Sequence, residues 1–250
     1  MSNGTILITG ASSGLGEEMA RQFAALGYDL ALCARRTDRL ESLREEIVAA
    51  NPSARVGLKA LDVTDDDAVF AVFKELAAEL GTIDRVIVNA GLGRGAPIGT
   101  GRYDANRATA MTNFVAALAQ SEAAMEIFRS QGSGHLVMIS SMSALRGMRK
   151  TMTTYAATKA GVAALAEGLQ NERVKGVDVS IIYPGYIRTE MNAGQAADKT
   201  RFMVDTETGV RAMVDAIEKR KARAYVPAWP WVPIGAAMRT LPMSVVRKLT

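Results

Sequence analysis

Seven short apolar runs rich in β-branched residues punctuate the chain: TILIT (5–9), DLALCA (29–34), RVGLKAL (55–61), DRVIVNA (84–90), GHLVMIS (134–140), VDVSIIY (177–183) and AYVP (224–227). Between them lie stretches with apolar residues at helical period, among them 14–27, 36–50 and 66–80. Buried strands alternating with helices predict a parallel sheet covered on both faces and joined by right-handed crossovers. The expected fold is therefore α/β, a doubly wound parallel sheet of seven strands in a single domain. A chain of 250 residues that is 48% hydrophobic can bury one such core, and no linker or repeat divides it. Sheets of this kind bind ligands outside the carboxyl ends of their strands, so the chemistry is expected in the loops that follow them.

Several function classes fall away on residue counts. The single cysteine, Cys33, cannot close an internal disulfide, and the single histidine, His135, cannot build a His-rich metal site, so no metal is expected. His135 also stands at the start of a strand, opposite the ligand-binding ends, which assigns it a structural place and disfavours a Ser-His-Asp hydrolase. The formal charge is +4, but the stretch from Lys219 onward holds seven basic residues and no acid, leaving −3 for everything before it. That basicity belongs to the tail and is not interleaved with aromatics along a groove, so nucleic acid is not an expected partner. A reducing cytoplasm fits the cysteine count. The N-terminus shows no basic and apolar leader, and the sequence has no uninterrupted run of about 20 apolar residues.

The loop after the first strand reads Thr9-Gly10-Ala11-Ser12-Ser13-Gly14-Leu15-Gly16 and opens directly into a helix. Glycines there allow a tight turn and close approach to a pyrophosphate, and the helix N-terminus offers free N–H groups. At the end of the second strand, an acid would grip a ribose 2′-hydroxyl, whereas arginine would accommodate a 2′-phosphate. The sequence has Arg35-Arg36. Arg35, at the strand tip, is the expected phosphate contact; Arg36 either joins it or begins a solvated helix. Further on, Tyr155 and Lys159 lie four residues apart, which on a helix places both heads on one face.

Taken in order, Thr9-Gly10-x-x-x-Gly14-x-Gly16, Asn89-Ala90-Gly91, Ser141, Tyr155-x-x-x-Lys159 and Pro184-Gly185-x-x-x-Thr189 resemble the short-chain dehydrogenase/reductases over about residues 5–226. The resemblance implies a Rossmann-type dinucleotide-binding and catalytic domain over 1–226 and hydride transfer between NADP(H) and a carbonyl or secondary alcohol. It makes Tyr155 the general acid and base, with Lys159 lowering its pKa and holding the nicotinamide ribose. Ser141 would orient the substrate oxygen, and Asn113 would connect Lys159 to solvent. Gly10, Ser12, Ser13, Gly14, Leu15 and Gly16 would hold the pyrophosphate, and Asp62 with Val63 the adenine. Asn89, Ala90 and Gly91 would line the cleft, with Pro184, Gly185, Ile187 and Thr189 beside the carboxamide. The spacing from Ser141 to Tyr155 is one longer than is common, which leaves Ser140 and Ser143 as rivals. An unperturbed phenol near pKa ~10 is about 0.1% ionised at pH 7, so a working phenolate needs about 4 kcal/mol of differential stabilisation. Two other readings stay open: a catalytically silent NADP-binding regulator, and an isomerase or dehydratase of the extended relatives.

The substrate is not legible. It is expected to be a small carbonyl or alcohol compound governed by loops 91–102, 143–152 and 192–205. Alanine-rich helices around 108–128 and 155–172 are the ones the family uses for dimer contacts, so a homodimer or homotetramer is expected. The apolar, basic tail, 227–250, has two readings: a lid that buries Trp229 and Trp231, or a peripheral membrane anchor that would suit a lipid-like substrate. Pro227, Pro230 and Pro233 are expected to forbid a helix before Ile234, with a break near Pro242.

Overall fold

The computed structural model describes residues 2–93, 95–192 and 202–249. Seven parallel strands form one sheet in the order β3-β2-β1-β4-β5-β6-β7. They are β1 (Thr5–Thr9), β2 (Asp29–Ala34), β3 (Val56–Ala60), β4 (Arg85–Val88), β5 (Gly134–Ile139), β6 (Val177–Pro184) and β7 (Arg223–Val226). The helices are α1 (Gly14–Ala25), α2 (Thr37–Ala50), α3 (Asp66–Leu80), α4 (Tyr103–Ala110), α5 (Ala116–Gln131), α6 (Met152–Glu172), α7 (Thr206–Glu218), α8 (Ala228–Thr240) and α9 (Met243–Leu249).

The period-two alternation of each strand divides the core between the two faces. Ile6 and Ile8 of β1 pack with Phe23, Leu40 and Met213, from α1, α2 and α7. Leu7, between them, points the other way, into the cluster of Phe73, Ala124 and Val162 from α3, α5 and α6. In register, Leu7 pairs with Ala31 of β2 and Val86 of β4, so this alternation carries across the sheet. From β1 the chain winds outward through β2 and β3, then crosses back to β4 and winds the other way. Between the carboxyl ends of β1 and β4 a crevice therefore opens, where no crossover covers the sheet.

The tail departs from expectation at its start. Trp229 is extended (φ −99°, ψ 131°), and regular helix runs on from Pro230 through Thr240. A proline ring at the first helical position costs nothing, because its N–H would have no partner there, and Pro233 forgoes only the bond to Trp229. Helix α8 lies against β7 and the 3₁₀ turn Met142–Leu145. The chain breaks at Pro242 before α9. Trp231 is buried, 6% exposed, while Trp229 is 78% exposed, so only one of the two tryptophans expected to be covered is covered.

Candidate active site

The tips of β1 and β4 are tied together by side chains. Thr9 Oγ accepts hydrogen bonds from the Asn89 and Ala90 N–H groups at 3.0 and 3.1 Å, and Asn89 Nδ2 donates to the Thr9 carbonyl at 2.9 Å. Helix α1 starts against this tie so closely that a Cβ on Gly16 would fall 2.5 Å from the Gly10 carbonyl oxygen and 2.6 Å from Asn89 Nδ2. The third glycine thus serves helix-to-strand packing, which explains why Gly16 is not part of the cavity wall while Gly10, Ser12, Ser13, Gly14 and Leu15 are.

That wall encloses about 820 Å³ along the carboxyl ends of the strands. It also contains Arg35, Arg36, Asp62, Val63, Asn89, Ala90 and Gly91. At its other end stand Ser140, Ser141, Tyr155, Lys159, Pro184, Gly185, Ile187 and Thr189. Asn113 stands outside the wall, buried beneath it.

Tyr155 and Lys159 occupy one face of α6, as the four-residue spacing requires. Burial pushes the Tyr155 phenol above its ordinary pKa, and a hydrogen bond with Ser141 offsets part of that rise. Burial lowers Lys159 to about 8. Its ammonium donates to the Ile139 carbonyl at 2.9 Å and has no acidic partner among the described residues. The expected pull of the ammonium on the phenol does not dominate: Lys159 is drawn toward the end of β5, and the hydroxyl of Ser141 supplies the lowering influence on Tyr155.

The three serines after β5 separate by their partners. Ser140 Oγ donates to the Lys159 carbonyl at 2.8 Å and braces α6. Ser143 spends its N–H, at 3.2 Å, and its hydroxyl, at 2.9 Å, on Ser141 Oγ. Ser141 is left as the serine that shares the cavity wall with Tyr155 and bears on its pKa.

Asn113 lies in a π-helical turn, Met111–Val115, between α4 and α5. Such turns displace one side chain out of helical register and occur often at functional sites. Here the amide clamps the backbone of Leu92, accepting from its N–H at 2.6 Å and donating to its carbonyl at 2.8 Å. Its Nδ2 also donates to Thr158 Oγ at 3.4 Å, and that hydroxyl donates in turn to the Tyr155 carbonyl.

At the opposite end of the cavity the two arginines diverge. Arg35 is 67% exposed on its side chain and sits 3.9 Å from the Asp62 carboxylate. Arg36 turns inward over the glycine loop, donating from Nε to Ser12 Oγ at 3.3 Å and from Nη2 to the Ser12 carbonyl at 3.4 Å. The Thr64 N–H and hydroxyl hold the Asp62 carboxyl below the usual carboxylate range. Sequence reasoning missed Thr64, Arg107 and Met191 in the wall, and Glu190, which bonds Arg36 and Arg39, while Asn192, at the start of the expected third substrate loop, does line it. A lone acid in a loop carries no local signal of the arginines it will meet. Residues 193–201, the middle of the expected third substrate loop, and Arg94, in the first, lie outside the described residues.

A short chain dehydrogenase family profile matches residues 4–200. The chain belongs to the short-chain dehydrogenase/reductases. Across 97% of this chain and 96% of the relative, it is 52% identical to an uncharacterized oxidoreductase of Mycobacterium tuberculosis strain H37Rv. A short-chain dehydrogenase from Sphingobium yanoikuyae in complex with NADPH superposes with a TM-score of 0.82 at 27% identity, over 98% of this chain and 94% of that one. One from Burkholderia phymatum in complex with NAD reaches 0.86 over 99% of this chain and 95% of that one, at 19% identity, a likeness of fold. As a short-chain dehydrogenase/reductase, the protein is an oxidoreductase, and solved structures that share its fold hold nicotinamide cofactors.

Proposed function

We propose that this protein is an NADP(H)-dependent reductase of a carbonyl compound, or dehydrogenase of the corresponding secondary alcohol, with Tyr155 as the proton carrier. The observation that carries the reading is the meeting of Ser141, Tyr155 and Lys159 in one cavity wall, with the lysine one helical turn from the phenol, buried, and without an acidic partner among the described residues.

The residues fit the cofactor. A cavity of about 820 Å³ is of the size that takes a large organic ligand. The Gly10–Gly16 loop at the N-terminus of α1 suits a pyrophosphate, Asp62 and Val63 suit adenine, and Pro184, Gly185, Ile187 and Thr189 suit a carboxamide. One of the three Lys159 N–H donors is spent on Ile139, leaving two for ribose hydroxyls. Arg36, anchored at Ser12, is placed better than Arg35 for a 2′-phosphate. When bound, the nicotinamide supplies the hydride.

The protein's own groups do the rest. Ser141 orients the carbonyl oxygen, and the Tyr155 O–H, kept protonated at neutral pH by burial, gives its proton to that oxygen as the hydride reaches carbon. Lys159, in its charged form, stabilises the phenolate left behind. In alcohol oxidation the same groups run in reverse. Asn113 acts by holding the Leu92 backbone beside the lysine.

Replacing Tyr155 by Phe should lower turnover at least about 10²-fold, the scale of a lost general acid, with NADPH binding nearly intact. Turnover above a tenth of the unmutated rate, with chemistry limiting, would show that another group carries the proton. We also read Phe114, Val115 and Leu118, exposed near the start of α5, as part of a homodimer contact, as in many relatives.

A further inference from the structure

The side chain at the outer rim of the adenosine end is an acid that comes from the far side of the crevice. Glu190 lies in a 3₁₀ turn, Glu190–Asn192, beyond β6, yet its carboxylate accepts from Arg39 Nη1 at 2.6 Å and from Arg36 Nη1 at 3.3 Å. Arg39 and then Arg36 hold that carboxyl below the usual range. Arg36 in turn bonds Ser12 through its remaining nitrogens, so the carboxylate sits where two guanidinium groups converge beside the glycine loop.

The turn that carries Glu190 is braced independently of this contact. The Thr189 N–H donates to Asn192 Oδ1 at 2.8 Å, and Asn192 Nδ2 donates to the Ile187 carbonyl at 2.8 Å. On the other side, Met191 lies over Gly93, where a built Cβ would come within 2.9 Å of the Met191 side chain. The turn therefore straps the crevice, with Glu190 tied to α2 and Met191 resting on the loop after β4.

We infer that Arg36 and Arg39 together form the seat of a 2′-phosphate, and that Glu190 is its resident anion, an internal competitor that NADP(H) displaces and NAD(H) does not. The inference rests on the NADP(H) reading above and adds Arg39 and Glu190 to it. The chemistry favours exchange. All three side chains are more than a third exposed, and ion pairs of that kind hold weakly against solvent. A phosphate monoester brings close to two charges and three acceptor oxygens to the same pair of guanidinium forks, against one charge on Glu190. A cofactor with a free 2′-hydroxyl offers no replacement anion, so the strap remains tied while it binds. Cofactor choice is then coupled to the freedom of the turn that bears Thr189 and Met191.

The test is direct titration of NADPH and NADH, without substrate, by nicotinamide fluorescence on the unmutated protein, Glu190→Gln, Arg39→Gln and the double variant. Glu190→Gln should tighten NADPH by about two- to fivefold, the reach of one exposed ion pair, and leave NADH unchanged. Arg39→Gln should weaken NADPH by about tenfold with little effect on NADH. In the double variant the gain from Glu190→Gln should shrink, since half of the contested seat is gone. If Glu190→Gln shifts both cofactors equally, shifts neither, or weakens NADPH, the internal competitor is overturned. Preference for NADPH in the unmutated protein would survive that result. Absence of that preference would instead overturn the NADP(H) reading and this inference with it.

Discussion

Burial moves Tyr155 up and Lys159 down, to about 8, so each group is pressed toward its neutral form. On the proposed reading, the protonated phenol would be the donor for carbonyl reduction at neutral pH, and the lysine would have to be the charged partner of the phenolate. Lys159 is protonated below about 8 and loses its charge above it. Reductive kcat/KM should therefore fall as pH rises past that value, and Lys159→Arg, with a group that stays charged, should move the fall upward. Two identical descending limbs would remove Lys159 from the ionisation. Gly185 offers a second test at this scale, because a Cβ there would lie 2.0 Å from the Trp231 ring. Gly185→Ala should destabilise by about 1–3 kcal/mol in urea unfolding, and a smaller side chain at 231 should recover part of the loss. The residues legible in the sequence were those whose meaning is local: glycines at a strand-to-helix turn, and a tyrosine and lysine one turn apart. That Ser140 braces α6 is visible only from its bond to the Lys159 carbonyl, and that Arg36 rather than Arg35 lies over the glycine loop is visible only from the direction in which each side chain leaves the end of β2.

Among the elements, β5 and α8 show what a period can and cannot reveal. All seven strands were readable as apolar runs, although β3 and β4 end sooner than those runs do, since Leu61, Asn89 and Ala90 turn out of the sheet to line the crevice. The start of α8 was misread because prolines were counted as breakers without regard to their place in the first turn. Trp231→Ala should cost about 3–5 kcal/mol, as for a large buried aromatic, if α8 is part of the core. A loss below about 1 kcal/mol would make it a loosely attached arm. At the other end of the sheet, His135 at the start of β5 accepts from Arg85 Nε at 3.0 Å and bonds Ser180 Oγ at 2.8 Å, while Arg85 pairs with Glu218 at 2.6 Å. Burial, helped by Arg85, lowers the imidazole to about 3 from 6.5. The folded state therefore binds this proton less readily than the unfolded one. The histidine's contribution to stability is full above about pH 6.5 and is lost as pH falls toward 3, at about 1.4 kcal/mol per pH unit. His135→Gln, which keeps an acceptor and a donor, should flatten the pH dependence of unfolding by about one proton in that window, and an unchanged slope would mean that the histidine titrates normally.

For the whole molecule, strand order is what gathers the site: reversal of direction between β1 and β4 brings loops from residues 10, 35, 62, 90, 141 and 185 to one crevice. The parallel sheet and the gathering of its loops at the carboxyl ends of the strands followed from alternating strand and helix; the strand order did not. Nor did any contact depending on chains far apart in sequence, such as Glu190 with Arg39. On the outer surface, Val115 and Leu118 are predicted to lie between two copies, and Val115→Glu with Leu118→Glu should convert a dimer to a monomer in light scattering; a monomeric unmutated protein would dismiss the contact. The chain's only histidine is sealed at the far end of the sheet from the crevice. If Tyr155 is the proton carrier proposed above, no imidazole stands near to replenish it, and its proton would arrive by conduction along hydroxyls, the lysine and water. Such a wire stores no charge of its own, and its throughput should register in heavy water as a slowing of steady turnover.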